Sequence, residues 1–213
     1  MLFIKKTLLC KFAFVVLFNH SAFAKDTPFR KVQLAYGISL DIPSHWKVMP
    51  KDHRKNVQAA GQAIANAAGI DEGLNDLKES LLSVHAVPSP TGAMIRVSVT
   101  SPPDYSQADL AAVTPADLKE LGTIMQGMSG KIEASGGPKI IERQPIRIEK
   151  LNNYQVLVIP YIRASANGPS HWQVIEYDIP VSNRLIQITF SYRQSDGVLW
   201  RPILELVKRS VKF

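Results

Sequence analysis

Cysteine is nearly absent from this chain of 213 residues: it occurs once, as Cys10, within a stretch that reads as a leader. One thiol cannot form an intramolecular disulfide, and a cysteine-rich metal cage is excluded. Several spacings of familiar catalytic and cofactor motifs are missing too. There is no Gly-x-Ser-x-Gly elbow, no His-Glu-x-x-His, no Cys-x-x-Cys and no Gly-rich phosphate loop ending in Gly-Lys-Ser/Thr. The N-terminal apolar run, Phe12 to Phe18, covers seven residues, well short of the ~20 that span a bilayer.

What is present at the N-terminus is a set of lysines (Lys5, Lys6, Lys11), that short apolar run, and the small-x-small ending Ala22-Phe23-Ala24. This is the layout of a secretory signal peptide, so residues 1–24 are expected to be cleaved after Ala24 and the protein to be periplasmic or secreted. Leu8-Leu9 precede Cys10 where lipid attachment favours small residues, so a lipid anchor is not expected. The mature chain, 25–213, is sized for one domain with a substantial core of its own. Loss of the three lysines lowers the formal charge from +7 to +4. Scattered over the chain, that excess is no nucleic-acid footprint.

Periodicity outlines the elements. Val32 to Ile42 reads as a short strand pair broken at Gly37. Lys51 to Ala68 has helical spacing, with Val57, Ala60, Gly61, Ile64, Ala65 and Ala68 forming a face expected to pack closely on a sheet. A shorter helical stretch through Leu74, Leu77 and Leu81 is expected before a strand at Leu82 to Ala86, and a hairpin leads into Ala93 to Thr100. Thr114-Pro115 starts a helix predicted to run to about Gly127. From Ile140 the period becomes two: 140–148, 154–163, 172–179 and 184–192 form a four-strand meander, followed by a helix whose start Pro202 limits. Residues 154–163 are apolar on both alternations, so this strand is expected to be covered on both faces. The fold class is α+β: an αβα sandwich with a mainly antiparallel sheet, a C-terminal meander and a closing helix.

A strand ending Ile42-Pro43-Ser44-His45-Trp46 near the mature N-terminus, a helical middle, and long paired strands leading to a last helix that ends Ser210-Val211-Lys212-Phe213 resemble the PsbP-like superfamily. That group includes the PsbP, Mog and DcrB types. The resemblance implies an αβα sandwich whose members mostly bind other proteins and catalyse nothing. It brings no catalytic residues with it, and the DcrB type differs in being lipid-anchored.

Pro-Ser-His-Trp occurs twice, at 43–46 and 169–172, and makes His45, Trp46, His171 and Trp172 the candidate binding residues. The flanking periodicities differ, so the repeat is no duplicated module. The mature chain's histidines, His45, His53, His85 and His171, lack metal-ligand spacing, and no metal or cofactor is expected. Trp46, Trp172 and Trp200 are expected to knit one core. Ser129 reads as part of a flexible helix end, and Glu176 and Asp178, on one face of a strand, as a solvated strand face or as ion-paired to Arg163 or Arg193. Together these readings describe a non-enzymatic binding or accessory protein with a protein partner in the cell envelope and no nucleic acid. The alternatives are a periplasmic hydrolase with a dispersed site and a small-molecule or metal-binding module.

Overall fold

The computed structural model describes residues 27–70, 78–87, 92–165 and 168–213. The leader and its cleavage point, Leu74, Leu77 and Asn167 lie outside them. β1 (Phe29–Gln33) and β2 (Ser39–Pro43) form an antiparallel hairpin, reversed through Tyr36 and Gly37 at φ 63° and 77°. Then come β3 (Lys47–Val48), α1 (Lys51–Ala67), β4 (Lys78–His85) and β5 (Ala93–Thr100). The helical middle is α2 (Gln107–Ala112) and α3 (Pro115–Ala134). β6 (Ile140–Arg143), β7 (Arg147–Leu151), β8 (Tyr154–Ala164), β9 (His171–Val181), β10 (Arg184–Arg193) and α4 (Gly197–Ser210) complete the chain. The main sheet has the order β3-β4-β5-β10-β9-β8-β6, with β7 also on β8, and its pairings are antiparallel.

The α+β class, the meander and the closing helix match the sequence expectation, and the differences are local. Leu81 lies in β4, not in a helix, because β4 already begins at Lys78. α3 runs on to Ala134, and Ser129 is buried within it; its hydroxyl donates to the Met125 carbonyl and accepts from Arg143. The first meander strand is two strands, divided around Pro145, whose ring cannot donate to the ladder. Pro202 sits inside α4, which begins five residues earlier at Gly197.

The two faces of the sheet are covered differently. On the first, Ile95, Val97, Ile186, Ile188, Val156 and Val158 pack against β2 and against Ile203, Leu204 and Val207 of α4. The i, i+4 spacing of Ile203 and Val207 puts both on the buried stripe of that helix. The C-terminal tail closes this layer: Lys212 and Ser39 exchange backbone hydrogen bonds of 2.9 and 3.0 Å, and Ser210 Oγ accepts from the Asp41 amide. On the second face a smaller cluster of Leu157, Ile159 and Leu110 seats α2 and α3 over β8, so this strand is covered on both sides. Capping boxes at Ser106–Asp109 and Thr114–Asp117 start these two helices.

Candidate functional site

The two Pro-Ser-His-Trp copies land in opposite settings. His45 is exposed in the turn after β2, while Trp46 beside it is 2 % exposed and meets Trp200 edge to face. His171 is exposed at the start of β9, and Trp172 is half-buried with the Arg163 guanidinium 5.6 Å above its ring. Trp46 and Trp200 thus join the N-terminal segment to α4, while Trp172 stands outside that core. Four strand spacings separate β3 from β9 in the sheet, about 19 Å, whereas a zinc–nitrogen bond is about 2 Å long. The structure does not bring the two histidines together. No described residues form a group of three or more His, Cys, Asp or Glu placed to hold a metal ion. Ser44 and Lys47 have Ser-x-x-Lys spacing, but Ser44 is exposed in a turn and Lys47 exposed in β3, not stacked on a helix face.

A different site lies on the second face of the sheet. Strand register aligns its outward side chains in rows: Ser80, Ser98, Gln187, Asp178 and Leu157 in one; Ser83, Arg96, Thr189, Glu176 and Ile159 in the next. The β4–β10 part of this face is polar, and α1 crosses above it without closing on it. No α1 side chain is buried, and a Cβ built on Gly61 meets nothing within 4 Å. The close packing expected of the Gly61–Ala65 face therefore does not occur, because the surface beneath it is hydrophilic. The helix is fastened along one side by polar contacts: Gln58 donates to the Lys78 carbonyl at 2.7 Å, and Arg54 to those of Met49 and Ser80. At its far end Ile64 comes near Gly137 and Ile132, past the end of α3.

Between helix and sheet runs an open groove of about 440 Å³. Its floor carries Arg96 from β5, Thr189 from β10, Glu176 from β9 and Tyr161 from β8; its roof includes Val57, Ile64 and Ala65. The side chains of Arg96, Thr189 and Tyr161 make no hydrogen bond or ion pair with a described residue. Glu176 accepts from Gln187 at 2.8 Å. Burial, followed by the repulsion of Arg163, lowers the Arg96 pKa below the usual guanidinium value. Burial, then Glu176, raises the Tyr161 phenol to about 12, so it stays protonated.

Ser83 Oγ lies 3.4 Å from His85 Nε2, a nucleophile beside a base. Burial lowers the His85 pKa first, and the neighbouring Arg96 and His53 lower it further. Among the described residues no carboxylate is hydrogen-bonded to this imidazole to orient it as in a catalytic triad. Asp178 is not ion-paired to Arg163 or Arg193; it is buried against Tyr105, and burial, then Glu176, holds its carboxyl well above the usual range. Arg163 stacks on Trp172 instead, and Arg193 reaches Asp196 at 3.4 Å.

No family model matches the chain, and no curated protein does. Among solved structures, the solution structure of cyanobacterial PsbP (CyanoP) from Synechocystis superposes with a TM-score of 0.54 at 10% identity, covering 87% of this chain and 92% of that one. LpqN, described as involved in cell envelope biogenesis of Mycobacterium tuberculosis, gives 0.44 at 11% identity over 89% and 94% of the two chains. The Saccharomyces cerevisiae Ran-binding protein Mog1p gives 0.44 at 9% over 87% and 95%. At such identities the likeness is one of fold.

Proposed function

Starting from a chain with the PsbP-like fold, we propose that it is an exported, non-enzymatic binding or accessory protein of the cell envelope, formed by one domain, 25–213, after cleavage behind Ala24. Fold alone does not assign a function, so the reading rests on the groove. The observation that carries it is that Arg96 and Thr189 line the groove without a hydrogen bond or ion pair to a described residue, while no described carboxylate orients the His85 ring beside Ser83. Such an arrangement holds a partner or ligand; it does not activate a nucleophile. The leader's lysines, apolar run and Ala-x-Ala ending support export.

Two measurements test this. Intact mass of the protein recovered from the envelope should begin at Lys25, and a retained leader would refute export. Crosslinking of the mature protein in envelope extracts should recover the same specific protein partner across growth conditions. Recovery of none, or ester or peptide hydrolysis abolished by Ser83→Ala, would refute the non-enzymatic binding role.

A further inference from the structure

The row of Ser83, Arg96, Thr189, Glu176 and Ile159 on the second face sets its charges in a particular order. Arg96 and Thr189 are direct partners in the β5–β10 register, with side chains on the same face, so their Cβ atoms stand about 5 Å apart. Neither side chain has a partner among the described residues. The charge that acts most strongly on Arg96 is another cation, Arg163. Arg54, another cation on the groove wall, is committed to two carbonyl oxygens. Arg96 is exposed to the groove with no ion-pair partner among the described residues, and beside the Thr189 hydroxyl its guanidinium offers donors to two planar oxygens.

The surroundings narrow the choice further. Glu176 is the direct partner of Thr189 in the same row and repels negative charge, so a ligand's charge has to be small and to sit on the Arg96 side of Thr189. That disfavours phosphate, which carries more charge and needs donors on several sides. Above the floor, Val57, Ile64 and Ala65 offer an apolar ceiling. A volume of about 440 Å³ lies within the range for small-molecule sites.

We propose that this groove binds a small monocarboxylate with a short apolar body. Its carboxylate lies on the Arg96 guanidinium with Thr189 as a second donor, and its body lies against Val57, Ile64 and Ala65. The site is the groove on which the binding role rests, but ligand titration requires no protein partner, so failure of one leaves the other standing.

Octanoate titrated into the mature protein, followed by amide chemical shifts, is the test. Saturable shifts confined to α1, β5 and β10 are expected. Arg96→Gln should weaken binding by about tenfold or more, equal to ~1.4 kcal/mol. Thr189→Val should weaken it several-fold, and it serves as the second variant should Arg96→Gln fail to fold. Octanamide, which keeps the body and lacks the charge, should bind at least about tenfold more weakly. The assignment is overturned if octanoate gives no saturable shift at millimolar concentration, if octanamide binds equally, if neither substitution weakens binding, or if inorganic phosphate binds more tightly than octanoate.

Discussion

The Tyr105 hydroxyl donates to Asp178 Oδ2 at 3.4 Å, while Oδ1 of the same carboxyl is buried without a partner. This loop-to-sheet contact joins the segment before α2 to β9, one row along from the groove floor. Gln107, at the start of α2, strengthens the same junction by donating to the carbonyls of Gln155 and Pro180.

The Asp178 contact predicts a pH dependence. Burial, then Glu176, raises the folded-state pKa of Asp178, against the smaller opposing influence of Lys78, Gln187 and Tyr105. Above the unfolded pKa of about 4 the unfolded chain releases a proton that the folded chain keeps. Stability therefore falls as pH rises from about 4 towards the folded pKa. Asp178→Asn should remove this decline. Melting temperatures of both proteins from acid to neutral pH check it: the variant should gain on the wild type as pH rises, and parallel curves would refute the buried-acid account.

The Trp46–Trp200 pair predicts a rescue. A Cβ on Gly92 would lie 2.7 Å from Trp200 Nε1, and neither indole N–H has a hydrogen-bond acceptor. Gly92→Ala should cost about 1–3 kcal/mol through overpacking. Trp200→Phe removes the clashing atom and forfeits no hydrogen bond, so the double variant should be more stable than the sum of the two single losses allows. Urea denaturation of the four proteins measures the coupling, and strict additivity would contradict the contact.

Two glycines in and near α1 should respond with opposite signs. Gly61→Ala meets empty space within a helix and should stabilise by about 0.5–1 kcal/mol. A Cβ at Gly137 would sit 2.8 Å from the Ile132 carbonyl and 3.1 Å from Ile64 Cγ2, so Gly137→Ala should destabilise and push α1 and α3 apart. Chemical denaturation of each variant decides the matter; a destabilising Gly61→Ala would mean that α1 rests on the sheet after all.

Hydrogen exchange should separate α1 from the sheet. With no buried side chain, α1 is expected to open with a lower free energy than β10, whose Ile186, Ile188, Phe190 and Tyr192 are buried. Amides of α1 should exchange faster than those of β10 at every pH, and equal protection would refute this.

The architecture was legible because strands declare themselves by alternation. Ile95, Val97 and Val99 against Arg96 and Ser98 placed β5, and the double alternation of 154–163 revealed the strand covered on both faces. Leu81 was misread because leucines at 74, 77 and 81 mimic helical spacing, and the pairing of β4 with β5 overrides it. The groove was not legible, since its residues are far apart in sequence and are ordinary strand polars singly. The available signal was a conflict: Arg96, Ser98, Glu176, Gln187 and Thr189 give strands β5, β9 and β10 a polar face on the side that helices were expected to cover. A face this polar stays solvated beneath a helix that does not close on it. The Pro-Ser-His-Trp repeat drew notice because it is visible as text, yet its two tryptophans occupy unrelated environments.

The register of β5 on β10 sends Val97 and Ile188 into the core and Arg96 and Thr189 to the groove from adjacent positions on the same strands. Selection can therefore act on the two sets separately. Replacing the groove residues alters charge and hydrogen bonding on one surface and leaves the volumes that hold the layers together unchanged. One backbone of this kind can diverge towards many specificities while its stability stays nearly constant.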